Sequence, residues 1–273
     1  MKFPIRFNVL YAIILLAIFS SCHSEKKIAN SFISSHDKIA LYTTFSANWD
    51  LFMIKPQGKT KADIYARQYF PYRTYFLKND GTAHIDSVFK NSLFFNLDAS
   101  SFESFTDANV HEFFKCKEDK YIIEFVQLYV EEKTLPVNDT FYFTNTNFIK
   151  FDTAISCVDL CFWLRINPVN DSFLASPLLY ASFSLADYFE GRWEYDYETG
   201  NYFYKYDFTE FKKEDIDALF EYAGEKIAEY IYDYFLNMYL YKQMKSKPKA
   251  YYSWNGRYLH KAGQNRFIFM KND

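Results

Sequence analysis

Four cysteines, five histidines and a local run of carboxylates are the side chains of this 273-residue sequence suited to binding a metal, exchanging disulfides or moving a proton. The histidines His23, His36, His84, His111 and His260 are scattered, and no two share a helical face. His111-Glu112 opens the H-E-x-x-H pattern of zinc proteases, but Lys115 stands where the second imidazole is needed, so no metal site is expected. In the stretch containing Glu190, Glu194, Asp196 and Glu198, an extended strand puts Glu194 and Asp196 on one face about 6.6 Å apart, within the range of a glycosidase pair. Those acids alternate with aromatic rings, so sugar stacking and acid catalysis would fall on opposite faces. A solvated polar face is the better expectation. There is no Gly-x-Ser-x-Gly elbow, P-loop or dinucleotide fingerprint, and seven glycines offer little backbone to cradle phosphate. No cofactor is expected, and the balance leans against an enzyme.

Beyond Cys22 the thiols are Cys116, Cys157 and Cys161, an odd number that allows at most one internal disulfide. On an extended strand Cys157 and Cys161 share a face with Cα atoms about 13 Å apart, past the ~7 Å limit for a bridge. Cys116 with one of them is the remaining pairing. The three-residue gap and the absence of nearby histidine argue for buried, inert thiols over a redox or metal centre.

Sixty residues are aromatic, 31 of them Phe and 25 Tyr, and the plain expectation is that they fill core positions. Residues 191–208, GRWEYDYETGNYFYKYDF, are the exception, because alternation places their rings on one face of a hairpin. A two-residue Thr199-Gly200 loop pairs Trp193 with Tyr206, Tyr195 with Tyr204 and Tyr197 with Tyr202, and sets Glu194 against Lys205 and Arg192 against Asp207. Those six rings are a candidate stacking surface for a glycan or a partner protein.

Where the chain goes is written at its start. Lys2 and Arg6 precede Val9 to Phe19, eleven apolar or aromatic residues, closed by Ser20, Ser21 and Cys22. Eleven helical residues reach about 16 Å, half the ~30 Å core a spanning helix crosses, so the segment has the size of an export signal. Its end resembles the lipobox of bacterial lipoproteins, in which two small residues precede a cysteine that is acylated and becomes the mature N-terminus; Phe19 sits where that family usually has Leu, Val or Ile. The resemblance implies a signal peptide over 1–21, fatty acylation of Cys22, and attachment to the membrane of the cell envelope, facing periplasm or cell surface. Asp86-Ser87-Val88 and Asp152-Thr153-Ala154 resemble an O-glycosylation sequon of some exported bacterial proteins.

The full sequence carries a net charge of −3, and losing Lys2 and Arg6 makes the remainder more acidic. Nucleic acid is therefore not an expected partner, since it needs a concentrated basic face. Residues 22–37 lack periodicity and read as a lipid-anchored tether, followed by one domain over 38–273. Extended segments are expected from Lys38 to Phe45 and from Trp49 to Ile54. A hairpin is expected from Arg73 to Phe89 about Asn79-Asp80-Gly81, and a short helix within 100–117 capped by Thr106 or Asp107. Tyr121 to Val130 reads as a buried strand, with more sheet through Ile166. Ile216, Leu219, Phe220, Ala223, Ile227, Ile231 and Phe235 recur at helical spacing, so one long amphipathic helix spans about 210–245, capped by Asp207 or Thr209 with Glu210, and kinked or broken at Gly224. A meander about Asn255-Gly256 closes the chain. The fold class is α+β, mainly antiparallel sheet with one short helix and one long C-terminal amphipathic helix. The function this implies is binding or assembly at the envelope, with an envelope protein or glycan as partner. The alternatives are a glycan-processing lipoprotein, or an enzyme whose unfamiliar site would show as a deep pocket.

Overall fold

The computed structural model describes residues 25–35, 39–45, 49–54, 57–66, 81–142, 148–169, 177–186, 188–209, 212–244, 247–262 and 267–269. The stretch expected to be a signal peptide, with Cys22, lies outside them. In order come helix α1 (25–35), strands β1 (Ile39–Phe45) and β2 (Trp49–Ile54), helices α2 (Lys61–Ala66) and α3 (Gly81–Ala99), strand β3 (Phe102–Phe105) and helix α4 (Val110–Lys115). They are followed by strands β4 (Asp119–Tyr142), β5 (Phe148–Pro168), β6 (Pro177–Ala186), β7 (Tyr188–Asp196) and β8 (Asn201–Thr209), helix α5 (Lys213–Gln243), and strands β9 (Tyr251–Trp254), β10 (Leu259–Ala262) and β11 (Phe267–Phe269).

The main sheet runs β11-β6-β5-β4-β1-β3, with β2 also on β4. β4 to β11 pair antiparallel, while β1 and β2 lie parallel to β4 and β3 lies parallel to β1. The fold is thus α+β with a long C-terminal helix, but the sheet is mixed. The reason is α3. Parallel neighbours need a crossover connection, and α3 lies in the one joining β1 to β3. The hairpin expected over Arg73 to Phe89 is absent from its described part: Gly81 opens a helix, on which Ile85, Phe89, Leu93 and Leu97 recur every four residues and are all fully buried. The remainder of that expected hairpin, Arg73 to Asp80, falls outside the described residues.

β4 owes its length to a bulge. Tyr121, Ile123 and Phe125 face the core on odd positions, Leu128 and Val130 on even ones, and the β5 register slips between Phe125 and Gln127. Val126 is left without a cross-strand partner, and the face is preserved. α3 and α5 cover this face, burying Leu160, Phe162, Leu164 and Ile166 of β5 among Phe220, Ile227, Ile231 and Phe235 of α5. Trp49 joins the layers: its ring meets Phe89, Phe162 and Phe220 edge-on, and its Nε1 donates to Asp86 at 3.0 Å.

Gly224 does not break α5, which is one continuous helix through it. A Cβ there would lie 2.7 Å from the Phe89 carbonyl oxygen and 2.8 Å from the Leu93 nitrogen, so the glycine lets two helix backbones touch. The cap also differs from expectation. Thr209 still belongs to β8, and the Lys212 N–H donates to the Asp215 carboxylate at 2.6 Å. In α4 the N-cap is Asn109, whose Oδ1 accepts from the Thr106 N–H at 2.7 Å.

The stretch expected as a structureless tether is helical from residue 25. Ala29 is buried against Leu236 and Leu240, and Phe32 packs on Tyr232 and Tyr239, because the spacings Ile28-Phe32 and Ala29-Ile33 give an apolar stripe. The neighbouring β9 is clamped to α5 by buried polar groups. Asn237 exchanges two hydrogen bonds with the Tyr252 backbone, at 2.6 and 2.8 Å, while the Asp233 carboxylate accepts from Ser253 Oγ at 2.6 Å and Trp254 N–H at 3.0 Å. The terminal hairpin forms with Asn255-Gly256 in a four-residue loop, and β11 joins the main sheet beside β6 instead of extending the meander.

Replacing Gly224 with Ala adds about 1 kcal/mol of helix propensity but forces the α3 and α5 backbones apart. The expected outcome is a net loss of about 1–2 kcal/mol and a Tm lower by roughly 2–8 °C in a thermal melt. A Tm at or above wild type would overturn the close-packing role.

Candidate functional site

β7 and β8 form their own two-stranded ribbon, separate from the main sheet. Its register differs from the expected one by two residues: Trp193 faces Tyr204, Tyr195 faces Tyr202, and Asp196 faces Asn201. The loop is therefore Tyr197–Gly200, four residues long. Arg192 lies opposite Lys205 and Glu194 opposite Phe203, so the expected charge pairs are not the register partners. The loop chemistry decides. Asp196 accepts the Glu198 N–H at 2.9 Å and the Thr199 hydroxyl at 2.6 Å, its carbonyl takes the Gly200 N–H at 2.8 Å, and Gly200 adopts φ +70°. The Thr199 hydroxyl, joined by the loop N–H, holds the Asp196 carboxyl below its ordinary value.

The rings expected on one face are solvent-facing: Trp193 is 42% exposed, Tyr195 41%, Tyr202 68% and Tyr197, now in the loop, 90%. Tyr195 meets Tyr197 at 5.0 Å and 87°, and Tyr202 at 4.9 Å and 61°, so the surface is corrugated. The side chains of Tyr204 and Tyr206 lie outside the described residues.

A second cluster lies on the main sheet's face turned away from α3 and α5. Lys133 forms ion pairs with Asp159 and, at 2.8 Å, with Glu131; Cys157 Sγ donates to Asp159 at 3.3 Å, and Tyr180 Oη donates to Cys161 Sγ at 3.6 Å. Strand alternation puts these residues on one face, and only the β4–β5 register brings Lys133 to Asp159. Burial opposes ionisation of Asp159, but hydrogen bonds from Lys133, Ser184 and Cys157 outweigh it and hold the carboxyl below its ordinary value. Hydrogen bonds to Asp159 and Glu131 raise Lys133 further above neutrality, and burial followed by the Cys161 contact raises Tyr129 and Tyr180. Every shift moves away from neutral pH, the reverse of what general acid–base chemistry requires. The cluster reads as a buried polar brace.

Cys116, Cys157 and Cys161 are all free thiols, and the pairing left open for Cys116 is not formed. Cys157 and Cys161 are buried on one face of β5, while Cys116 ends α4. Ligand atoms of Cys116, Glu103 and Glu118 lie within 4.8 Å of one another. Burial and then the Glu103 and Glu118 charges push the Cys116 thiol up, so a metal there must first displace its proton. His111 and Glu112 are exposed on α4, and Ser87 of the first sequon is exposed on α3, whereas the side chains of Asp152 and Thr153 fall outside the described residues. No helix among the described residues is long and apolar enough to cross a membrane. No protein-family model matches the chain, and neither does any curated protein.

The Lys133–Asp159 pair sets a pH dependence. Asp159 is held low, so its contribution is present above the ordinary aspartate value of 3.8 and is lost as pH falls through its folded value. Lys133 is held high, so its share is present below 10.5 and is lost as pH rises beyond it. Lys133→Met should cost about 1–3 kcal/mol at pH 7 by leaving the carboxylate under-paired, and the difference from wild type should shrink below about pH 4. Urea unfolding at pH 7 and pH 3 measures it, and an equal difference at both values would refute the coupling.

Proposed function

We propose that this chain is a lipid-anchored protein of the bacterial cell envelope whose folded body binds a partner protein and performs no catalysis of its own. The observation that carries the binding half is the β7–β8 ribbon, whose Trp193, Tyr195, Tyr197 and Tyr202 rings stay in water while most other rings among the described residues are packed. Natural proteins rarely leave clustered Trp and Tyr in solvent unless something covers them. Ring planes at 61–87° to one another suit interdigitation with side chains better than a flat sugar face. The lipobox-like end at Cys22 supports the anchor, with the bilayer as partner of its acyl chains, palmitate among them, and the body facing periplasm or cell surface.

A second reading, glycan binding or processing at the same surface, is favoured by the exposure of Tyr197 and Tyr202, which leaves ring area open for stacking.

Two experiments test these readings. In detergent-phase partitioning, the native protein should enter the detergent phase. Cys22→Ala, or globomycin treatment of cells, should shift it to the aqueous phase or leave the unprocessed form. Indifference to both sinks the anchor. For the ribbon, a photo-crosslinking amino acid at Tyr197 should give a discrete protein adduct in intact cells, lost on adding Trp193→Ser and Tyr202→Ser. Those exposed substitutions should leave stability within about 0.5 kcal/mol. No protein adduct, together with ring-dependent retention on peptidoglycan, would replace the protein reading with the glycan one.

A further inference from the structure

α3 and α5 meet at Gly224, and beside that contact a groove of about 790 Å³ opens to solvent. Its walls carry Phe95, Asn91 and Asn96 from α3 and Tyr222, Glu221 and Glu225 from α5. The two rings are well exposed, at 73% for Phe95 and 48% for Tyr222. Much of the groove's donor capacity is engaged within the chain. Asn96 Nδ2 donates to the Ser92 carbonyl at 2.8 Å, Asn91 Nδ2 to Ser87 Oγ at 3.4 Å, and Ser92 Oγ to the Glu221 carbonyl at 2.6 Å. The second Asn91 N–H and the Tyr222 hydroxyl are further donors, set among two carboxylates one helical turn apart, the Asn91 and Asn96 amides and two aromatic side chains. Glu221 forms no ion pair among the described residues. The chain itself samples the chemistry at the rim, where Lys226 Nζ lies 5.4 Å over the Tyr222 ring and 3.2 Å from Glu225.

A surface whose charged groups are carboxylates beside π faces favours cations over anions. Acceptors spread along both walls suit a planar group with several donors better than a point charge, and a guanidinium has five in a fixed fork and stacks on rings. The groove is also larger than one side chain, leaving room for the flanking backbone. We propose that it receives an arginine side chain presented by a partner protein, its guanidinium between Glu221 and Glu225 and its plane against Phe95 or Tyr222. This site is separate from the ribbon, and neither reading depends on the other.

The test uses the full chain in detergent micelles and three blocked pentapeptides, acetyl-Gly-Ala-X-Ala-Gly-amide, with X as arginine, lysine or citrulline. Binding is followed by amide chemical-shift titration. The arginine peptide should saturate in the millimolar range and bind at least about tenfold tighter than citrulline, the neutral isostere. Glu221→Gln with Glu225→Gln should remove about tenfold or more, and Phe95→Ala severalfold, with thermal melts unchanged because all three positions lie at the surface. Equal binding of arginine and citrulline, an unaffected double variant, or no saturation by about 10 mM would overturn the proposal. A lysine peptide that binds as tightly as arginine would overturn its assignment to a guanidinium.

Discussion

Pairing of β4 with β5 runs from Tyr121 opposite Pro168 to Tyr142 opposite Phe148, and the two-residue period of strands imposes a constraint on so long a ladder. Two strands share one side of β4: β1 covers Asp119–Phe125 and β2 covers Leu128–Lys133. Between them the chain must pass from one partner to the next without turning its apolar side chains into water. The unpaired Val126 absorbs the mismatch. With it, Phe125 and Leu128 both face α3 and α5; without it, Leu128 and Val130 would exchange places with Gln127, Tyr129 and Glu131. The same alternation carries Glu131, Lys133, Cys157 and Asp159 to the opposite face, so the core and the polar brace depend on one residue.

Helical periodicity was legible where it was long. The apolar stripe of α5 is the one its sequence predicts, and even Gly224 was singled out. Its role was misread because a glycine inside a helix announces either flexibility or contact, and only the position of Phe89 and Leu93 distinguishes the two. α3 carries an equally plain four-residue repeat, yet Asn79-Asp80-Gly81 reads locally as a turn. Losing that helix also lost the crossover, and with it the parallel strands. In the β7–β8 ribbon, ring alternation identified the strands but not the register, since matching six rings cannot compete with an aspartate that bonds three groups of its own loop. The Lys133–Asp159 pair and the Phe95–Tyr222 groove join residues 26 and 127 positions apart. No local pattern encodes them.

The two candidate surfaces differ in what stabilises them. The groove is a by-product of helix packing: Gly224 fixes the helices, and the side chains at its rim vary at little cost to the core. The ribbon is a two-stranded sheet of its own. A two-stranded hairpin is marginal alone, so the packing of Tyr195 on Tyr202 and Tyr197 holds the strands and loop while the same rings form part of the exposed face. Stability and recognition there draw on the same rings, whereas in the groove they are separable.

Under the acylation proposed for Cys22, the placement of α1 would give the two ends of α5 different environments. Two residues, His23 and Ser24, separate Cys22 from the first residue of α1, at most about 11 Å from Cα to Cα. α1 in turn is fastened to the C-terminal half of α5 through Phe32 on Tyr232 and Tyr239, and to the segment before β9 through the Glu25 carboxylate, which accepts the Lys249 N–H at 3.1 Å. The base of the ribbon lies at the other end, since β8 stops at Thr209 and α5 begins at Lys213. A 31-residue helix is about 46 Å long. Under the anchor proposed for Cys22, acyl chains at one end of that rod would hold the domain close to the bilayer, with far less slack than a flexible tether of some fifteen residues gives, while the ribbon's base sits a helix length away. A body held so short would not range over the surface in search of partners. It would meet what comes to its distal end, where the ribbon exposes Trp193, Tyr195, Tyr197 and Tyr202.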